Sequence, residues 1–516
     1  MVSNNKKENN QIIFQYIPDI KTHIYENIDC NISAIKSTFM NCDDMVYRDF
    51  KVGGIDGVNM FLFYIDGLVD KVLIDNFVMT PLMINTRIVK PDLNEIKDRL
   101  SEATKDSGLT VSDFKEFENI EEAITFVLSG ETALFIDGYN KVIIIATKLW
   151  PARSIGDPAS ETVIRGSRDG FSETMRFNTA LVRRRIRDPR FKVIQKQIGV
   201  RSKTDVAIVY IEDILDNRIL DELFVRLDKI DIDVILDSGG IEQFIEENKY
   251  TPFPQTQVTE RPDVVAAAVY EGRIGIIVDN SPYALIVPTT ITAFFQSPDD
   301  YNSRTIIGTF TRLIRLIAGI VALLGPALFI AITTFHPGII PISLALSIAA
   351  LREGVPFPAF VEASVMELTF ELLREAGVRL PRPIGPTVGI VGGLVIGQAA
   401  VSANIVSPIM VIVVAITAIS SFANPNYEIS SALRLTRFLF MMAAAVYGLY
   451  GITLTGIAIL IHLVNLKSFN IPYLAPISPF YIEDMKDTIY RASWTNMKKR
   501  PRHYGPKDIT RQKNSK

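Results

Sequence analysis

Five carboxylates, Glu353, Glu362, Glu367, Glu371 and Glu375, stand among apolar residues between Leu351 and Gly377. After them no charged side chain occurs from Ile384 to Ala423, and apolar runs flank the stretch at Leu316–Phe335 and Phe438–Leu460. A charge left unpaired in hydrocarbon costs about 2.5–3.5 kcal/mol or more, so this set requires a water-filled path, a partner or a surface-lying helix. Drawn as a helix at about 100° per residue, Glu367, Glu371, Arg374 and Glu375 share one face while Glu362 points roughly the other way. Rings of acidic groups favour cations, and a path lined by several subunits would use one polar face of this kind. Glu353, Glu362, Glu367 and Glu371 are therefore the candidate pore-lining residues. The competing reading is an amphipathic helix lying on a surface with its glutamates solvated.

The elements around these carboxylates come next. Gly385, Gly389, Gly393 and Gly397 recur at every fourth position. Small residues at that spacing line one helix face and let another backbone approach closely, which makes the four glycines a helix-packing surface. Leu316–Phe335, Ile384–Ser402, Ile405–Ala423 and Phe438–Val464 are long and uncharged enough to be read as four spans. Gly338–Ala350 is too short to cross alone. Between Ile291 and Arg315, Phe294, Phe295, Tyr301 and Phe310 mix with Arg304, Arg312 and Arg315, as at a bilayer surface. The tail from Lys486 onward is rich in Lys and Arg, which the positive-inside rule assigns to the cytoplasm.

The first 300 residues are of another kind, mixed and charged, and they repeat themselves. Phe63–Asp75 matches Val209–Asp221, pairing Tyr64 with Tyr210, Asp70 with Asp216 and Asp75 with Asp221. Gly130–Thr147 matches Gly272–Thr289 at nearly the same offset, with Asp137 opposite Asp279 at a turn. One duplication explains both matches, and strand-like runs alternating with helix-like ones give each copy an α/β character. A cleft between the copies is a candidate ligand site. Joining them is Trp150–Arg190, whose Arg165, Arg168, Arg183, Arg184 and Arg185 belong to a basic cluster. Local carboxylates make a clamp between the copies the favoured reading over nucleic-acid binding, because no aromatic platform or nucleic-acid module accompanies the arginines.

The fold class that follows is an α/β N-terminal part of two related subdomains, then an all-α polytopic membrane domain. Its divisions are a disordered tail over 1–29, subdomains over 30–149 and 192–290, and an Arg-rich connector over 150–191. An interfacial linker over 291–315, a membrane domain over 316–466 and a basic cytoplasmic tail over 467–516 complete the chain. The chain has 516 residues, 48% of them hydrophobic, and a formal net charge of −3, which gives no global case for nucleic acid. Two cysteines, Cys30 and Cys42, make neither a disulfide framework nor a metal set, and the four histidines are dispersed. With no phosphate-cradling glycine loop, HExxH or G-x-S-x-G, neither an enzyme nor a bound cofactor or metal is expected.

Three long stretches carry a resemblance: SETVIRGSRDGFSETMRFNTALVRRRIRDPR, REGVPFPAFVEASVMELTFELLREAGVRLPRPIG and VGIVGGLVIGQAAVSANIVSP. They resemble the A-subunit family of GerA-type spore germinant receptors, over about residues 30–485. Ser167 stands where that pattern usually has Pro, and Asp169 where it usually has Glu. The resemblance implies a multi-pass subunit in the spore inner membrane, and the basic tail with the unsignalled N-terminal part sets both ends on the cytoplasmic (core) side as an expectation. It implies as partners a permease-like B subunit, a lipoprotein C subunit, further copies of this chain and membrane lipid. It further implies nutrient sensing and a gated cation-release pathway. The alternatives are a secondary transporter of ions or small nutrients, or a non-conducting membrane sensor or scaffold. A transporter would place its charges on paired broken helices around a midplane site, whereas here they sit in one connection.

Overall fold

Two sheets built to one plan account for the N-terminal half. The computed structural model describes residues 23–52, 57–84, 114–149, 156–158, 160–379 and 385–512, so residues 1–22 of the expected tail and part of the first expected subdomain lie outside the described residues. The first sheet has the order β1-β2-β4-β5-β3, from β1 (Met45–Val52), β2 (Val58–Ile65), β3 (Phe114–Phe117), β4 (Thr132–Ile136) and β5 (Val142–Ile145). The second repeats it as β6-β7-β9-β10-β8, from β6 (Phe191–Ile198), β7 (Thr204–Ile211), β8 (Gln257–Thr259), β9 (Ile274–Val278) and β10 (Ala284–Val287). Every neighbouring pair is antiparallel.

Each sheet is buried on both faces, which is why β2 and β7 read as nearly continuous apolar runs. Successive strand side chains point to opposite faces. Phe61, Phe63 and Phe135 therefore pack under α1 (Ile28–Thr38) and α2 (Ile120–Leu128). Leu62, Leu134 and Ile143 meet Ile74, Val78 and Leu82 of the helical run Lys71–Leu73, Ile74–Met79 and Thr80–Ile84. In the second unit α3 (Met175–Arg183) and α6 (Pro262–Val269) cover one face. There α4 (Asn217–Asp228) and α5 (Ser238–Ile245) cover the other.

The paired residues of the sequence repeat do the same work in both units. Asp70 and Asp216 each cap the helix that follows, accepting the N–H of Val72 and of Arg218. Asp137 and Asp279 each accept a backbone N–H from the start of the unit's first helix, Ile28 at 3.3 Å and Met175 at 2.9 Å. A further pair went unread in the sequence. Asn31 in α1 and Asn178 in α3 are both buried, and each side chain bonds the N–H and C=O of the residue six positions earlier. The arginine-bearing helix α3 thus holds in the second unit the place that α1 holds in the first. The first unit's contacts already begin at His23, which bridges to Asn119.

The C-terminal half is helical: α7 (Thr305–Phe335), α8 (Ile342–Arg352), α9 (Ala359–Arg379), α10 (Gly385–Ser402), α11 (Pro408–Phe422) and α12 (Tyr427–Asn465). Among the described residues two of these, α7 and α12, are long and apolar enough to cross a membrane by length and composition, against four spans expected. Pro408 opens α11 and holds it to 15 residues. The 39 residues of α12 would measure roughly 58 Å as one rod, far more than a hydrocarbon core of about 30 Å. They do not form one rod. Gly448 has φ 57° and ψ −136°, outside the helical region, and the chain turns back there. Ile429 and Leu463 consequently share one apolar cluster, and Gly456 lies opposite Phe440. The tip packs on the end of α7, where a Cβ on Gly448 would stand 2.9 Å from both Phe335 and His336. Arms 427–447 and 449–465 make a helical hairpin beside α7.

Candidate functional site

The carboxylates of α9 do not stand alone. Glu362 is fully buried, and Arg352 at the end of α8 donates to its Oε1 at 3.0 Å. Its Oε2 accepts the backbone N–H of Ser407 at 2.8 Å, so this carboxylate also caps α11, where a helix N-terminus favours negative charge. Glu367, five residues further along the helix, is buried against Arg437 of the hairpin's first arm. Glu371 pairs with Arg374 on its own helix and stands 3.6 Å from Arg434, and its side chain stays 43% exposed. Glu353 and Glu375 are exposed. The expected set therefore divides into two buried carboxylates committed to arginines and a rim of carboxylates open to solvent.

The arginines of the hairpin that answer Glu367 and Glu371 were legible in part. Arg434 and Arg437 are three apart just ahead of Phe438, where the apolar span was expected to begin. Charges at that spacing on the shoulder of an apolar run mark one helix face that needs partners. Glycine spacing resolves into two contacts. Gly393 faces Phe370 of α9 at 3.2 Å, and Gly397 faces Val411 of α11 at 3.3 Å, both as distances from an added Cβ. The surroundings of Gly385 and Gly389 lie outside the described residues.

In the connector one arginine reaches across. Arg183 is fully buried and donates through Nε and Nη2 to both oxygens of Asp44 in the first unit, each at 2.8 Å. Its Nη1 bonds the carbonyl of Phe191 in the second unit, also at 2.8 Å. Cys42 and Val193 pair alongside as a parallel bridge. Arg185 turns back to Leu181, Ser167 and Asp169, so the two positions that depart from the family pattern meet one guanidinium. Arg184 is half-buried, while Arg165 and Arg168 are exposed. Arg165 takes part through its backbone, donating to Asp299 and accepting from Asn302.

A second ionic cluster joins the two halves. Arg312, expected at a bilayer surface, is fully buried. It donates to Asp300 at 3.1 Å and to Asp487 at 2.9 Å. Asp487 also accepts from the Tyr301 hydroxyl at 2.6 Å, and Arg315 pairs with Asp300. Burial holds the Asp487 carboxyl above its ordinary range, against Arg312, which pulls it down. Beyond this joint the basic tail lies on the second unit. Arg511 meets Glu271 at 2.7 Å, Lys507 meets Asn217 at 2.7 Å, and Tyr504 is buried beneath Arg273. Among the described residues, Lys499, Arg500, Arg502, Lys507 and Arg511 spend their charges on protein contacts.

This architecture has known relatives. A family model described as Bacillus/Clostridium GerA spore germination protein matches residues 33–503. Spore germination protein KA of Bacillus subtilis (strain 168) is 43% identical over 482 residues, covering 93% of this chain and 87% of that protein. Spore germination protein GerLA of Bacillus cereus is 41% identical over 479 residues, 93% of this chain and 96% of that one. The crystal structure of the N-terminal domain of the A subunit of the Bacillus megaterium spore germinant receptor GerK3 is 32% identical. It covers 51% of this chain and 96% of that one, with a TM-score of 0.40. The family match runs from α1 through both sheets and the hairpin into the docked tail, and the chain belongs to the GerA family of spore germination proteins.

Proposed function

We propose that this chain is the A subunit of a nutrient-sensing germinant receptor in the spore inner membrane. Copies of it assemble there around a gated cation-release pathway, together with the receptor's other subunits. Family membership supports the role in germination. The membrane setting is supported by the apolar side chains that the helices leave uncovered, among them Ile320, Ile342, Ile419, Phe422, Val446 and Leu460. A surface of that extent is what lipid or a neighbouring subunit covers. The observation that carries conduction is the rim of α8 and α9. Glu353, Glu371 and Glu375 face outward there beside exposed Leu351, Val365, Leu368 and Leu372. Carboxylates open to water on an otherwise apolar face suit a path closed by several copies.

The decisive measurement is single-channel recording from the purified chain in planar bilayers, with and without its partner subunits. Cation-selective currents are expected, with selectivity reduced in Glu353→Gln and Glu371→Gln at unchanged assembly. Glu362→Gln and Glu367→Gln report on folding instead, because each leaves an arginine without its carboxylate. Absence of current in every preparation would leave a non-conducting sensor as the reading. Wild-type selectivity in both rim variants would remove these glutamates from the path.

A further inference from the structure

At the foot of the hairpin, three carboxylates bear on one another electrostatically without a counter-charge. Glu242 and Glu246 lie one turn apart at the end of α5, and Glu428 lies in the first turn of α12. The charges bearing on Glu428 are those of Glu242, Glu246 and Glu161, and those bearing on Glu242 are Glu246 and Asp237. No Lys or Arg is among them. Lys249, the cation nearest in the chain, lies over the Phe244 ring, and Arg226 is committed to Glu222, Glu247 and the Ile245 carbonyl. His462, at the same end of the hairpin, bonds Thr251.

A second feature points into the same place. Tyr473 comes back from the tail and is fully buried, yet its hydroxyl has no hydrogen-bond partner among the described residues. The charges that bear on this phenol are Glu246 and Glu428. Oε2 of Glu428 is likewise buried and without a partner, whereas Oε1 of Glu246 accepts the Gln255 N–H at 2.9 Å. Phe253, Phe294, Ile429 and Leu463 form the apolar wall. Oxygen acceptors lacking donors, negative charge lacking a cation and the C-terminal end of α5 all favour a positive guest.

We propose that this cleft, between the second sheet unit and the foot of the hairpin, binds one small monovalent cation, either an alkali ion or a primary ammonium group. Glu428 and Tyr473 supply the free acceptors, and Glu242 and Glu246 supply the field. A divalent ion would need several carboxylate oxygens at about 2.3–2.6 Å. Among the described residues no three such groups are gathered closely enough to hold a metal ion. Burial and the neighbouring carboxylates push Glu242 up to about 7, so protons compete with the guest at mildly acid pH. The site stands whether or not the chain conducts. Its position spans the contact between the sheets and the helices, so occupancy would tighten that contact.

Thermal unfolding of the purified whole chain in detergent tests this, with potassium, methylammonium or N-methylglucamine chloride titrated at constant ionic strength. At pH 8 the midpoint should rise saturably, by about 2–4 °C, with potassium or methylammonium and not with the bulky N-methylglucamine. Whichever of the two saturates at lower concentration identifies the guest as inorganic or as an amine. The response should shrink several-fold at pH 5.5 and vanish in Glu428→Gln. Half-buried Glu242→Gln provides the same test should Glu428→Gln fail to fold, and Tyr473→Phe should raise the half-saturating concentration several-fold. Equal midpoints in all three salts, or an undiminished response in the folded Gln variants, would overturn the proposal. So would a midpoint that follows pH alone, because the carboxylates would then hold only protons.

Discussion

Arg183 and Asp44 meet side-on through two hydrogen bonds in a place that water does not reach. Removing one partner strands the other charge, so Arg183→Ala or Asp44→Ala should cost about 3–5 kcal/mol, read from unfolding of the purified chain. The double variant Arg183→Met, Asp44→Leu should lose less than the sum of its singles, because it leaves no orphaned charge. Glu161 makes a prediction of opposite character. Burial pushes its carboxyl up to about 7 from an ordinary 4.5, despite donors from Thr259 and Glu260. Between those values the folded chain keeps a proton that the unfolded chain has released, so this contribution to stability falls as pH rises through the window. The midpoint difference between the wild-type chain and Glu161→Gln should decline from pH 4.5 to 7 and be level above it. A constant difference would mean that Glu161 does not titrate there. The arginine cluster was plain in the sequence, yet which arginine crosses between the units was not. Its partner lies 139 residues earlier, and composition carries no information on pairings at that distance.

Helices and strands are where sequence was most informative, and where one reading failed. The matching segments around Asp70/Asp216 and Asp137/Asp279 anticipated two related α/β units, because caps and turns are local devices that a duplicated segment keeps, while the shared strand order is seen only in the fold. The Asn31/Asn178 pair was missed because its partners are backbone groups, which leave no signature in residue type. The hairpin was missed for another reason. Phe438–Leu460 is apolar throughout, and Gly448 looks the same as Gly451 and Gly456 until its positive φ is known. Gly448→Ala places a Cβ on that backbone and against Phe335, and should cost about 1–3 kcal/mol of stability. Gly456→Ala, with only Phe440 at 3.9 Å, should be close to neutral and serves as the control. Gly393→Leu should drive Phe370 from its seat and cost a further 1–3 kcal/mol, or roughly that, by overpacking. A wild-type unfolding midpoint for Gly448→Ala would refute the reversal.

Across the whole molecule, the joint at Arg312 and the docked tail tie sheets, helices and C-terminal residues into one body. Asp487→Ala should free one side of Arg312 and the Tyr301 hydroxyl, lowering stability by about 3–5 kcal/mol. It should also open the 466–487 segment to protease while the sheets stay resistant, and an unchanged digestion pattern would count against the joint. Basic residues in the tail suggested a compartment and were silent on docking, since charge does not report whether a folded surface has already claimed it. The joint also sets an order of events during synthesis. Arg312 is made 175 residues before Asp487. At about 5–20 residues per second, roughly ten to thirty-five seconds separate them on the ribosome. For that interval Asp300 is the carboxylate that Arg312 can meet, and both arms of the hairpin are synthesised before the segment that seals it emerges. A chain released early by a premature stop would carry every helix and still lack its closing bond, which gives a cell's proteases a way to tell finished subunits from unfinished ones.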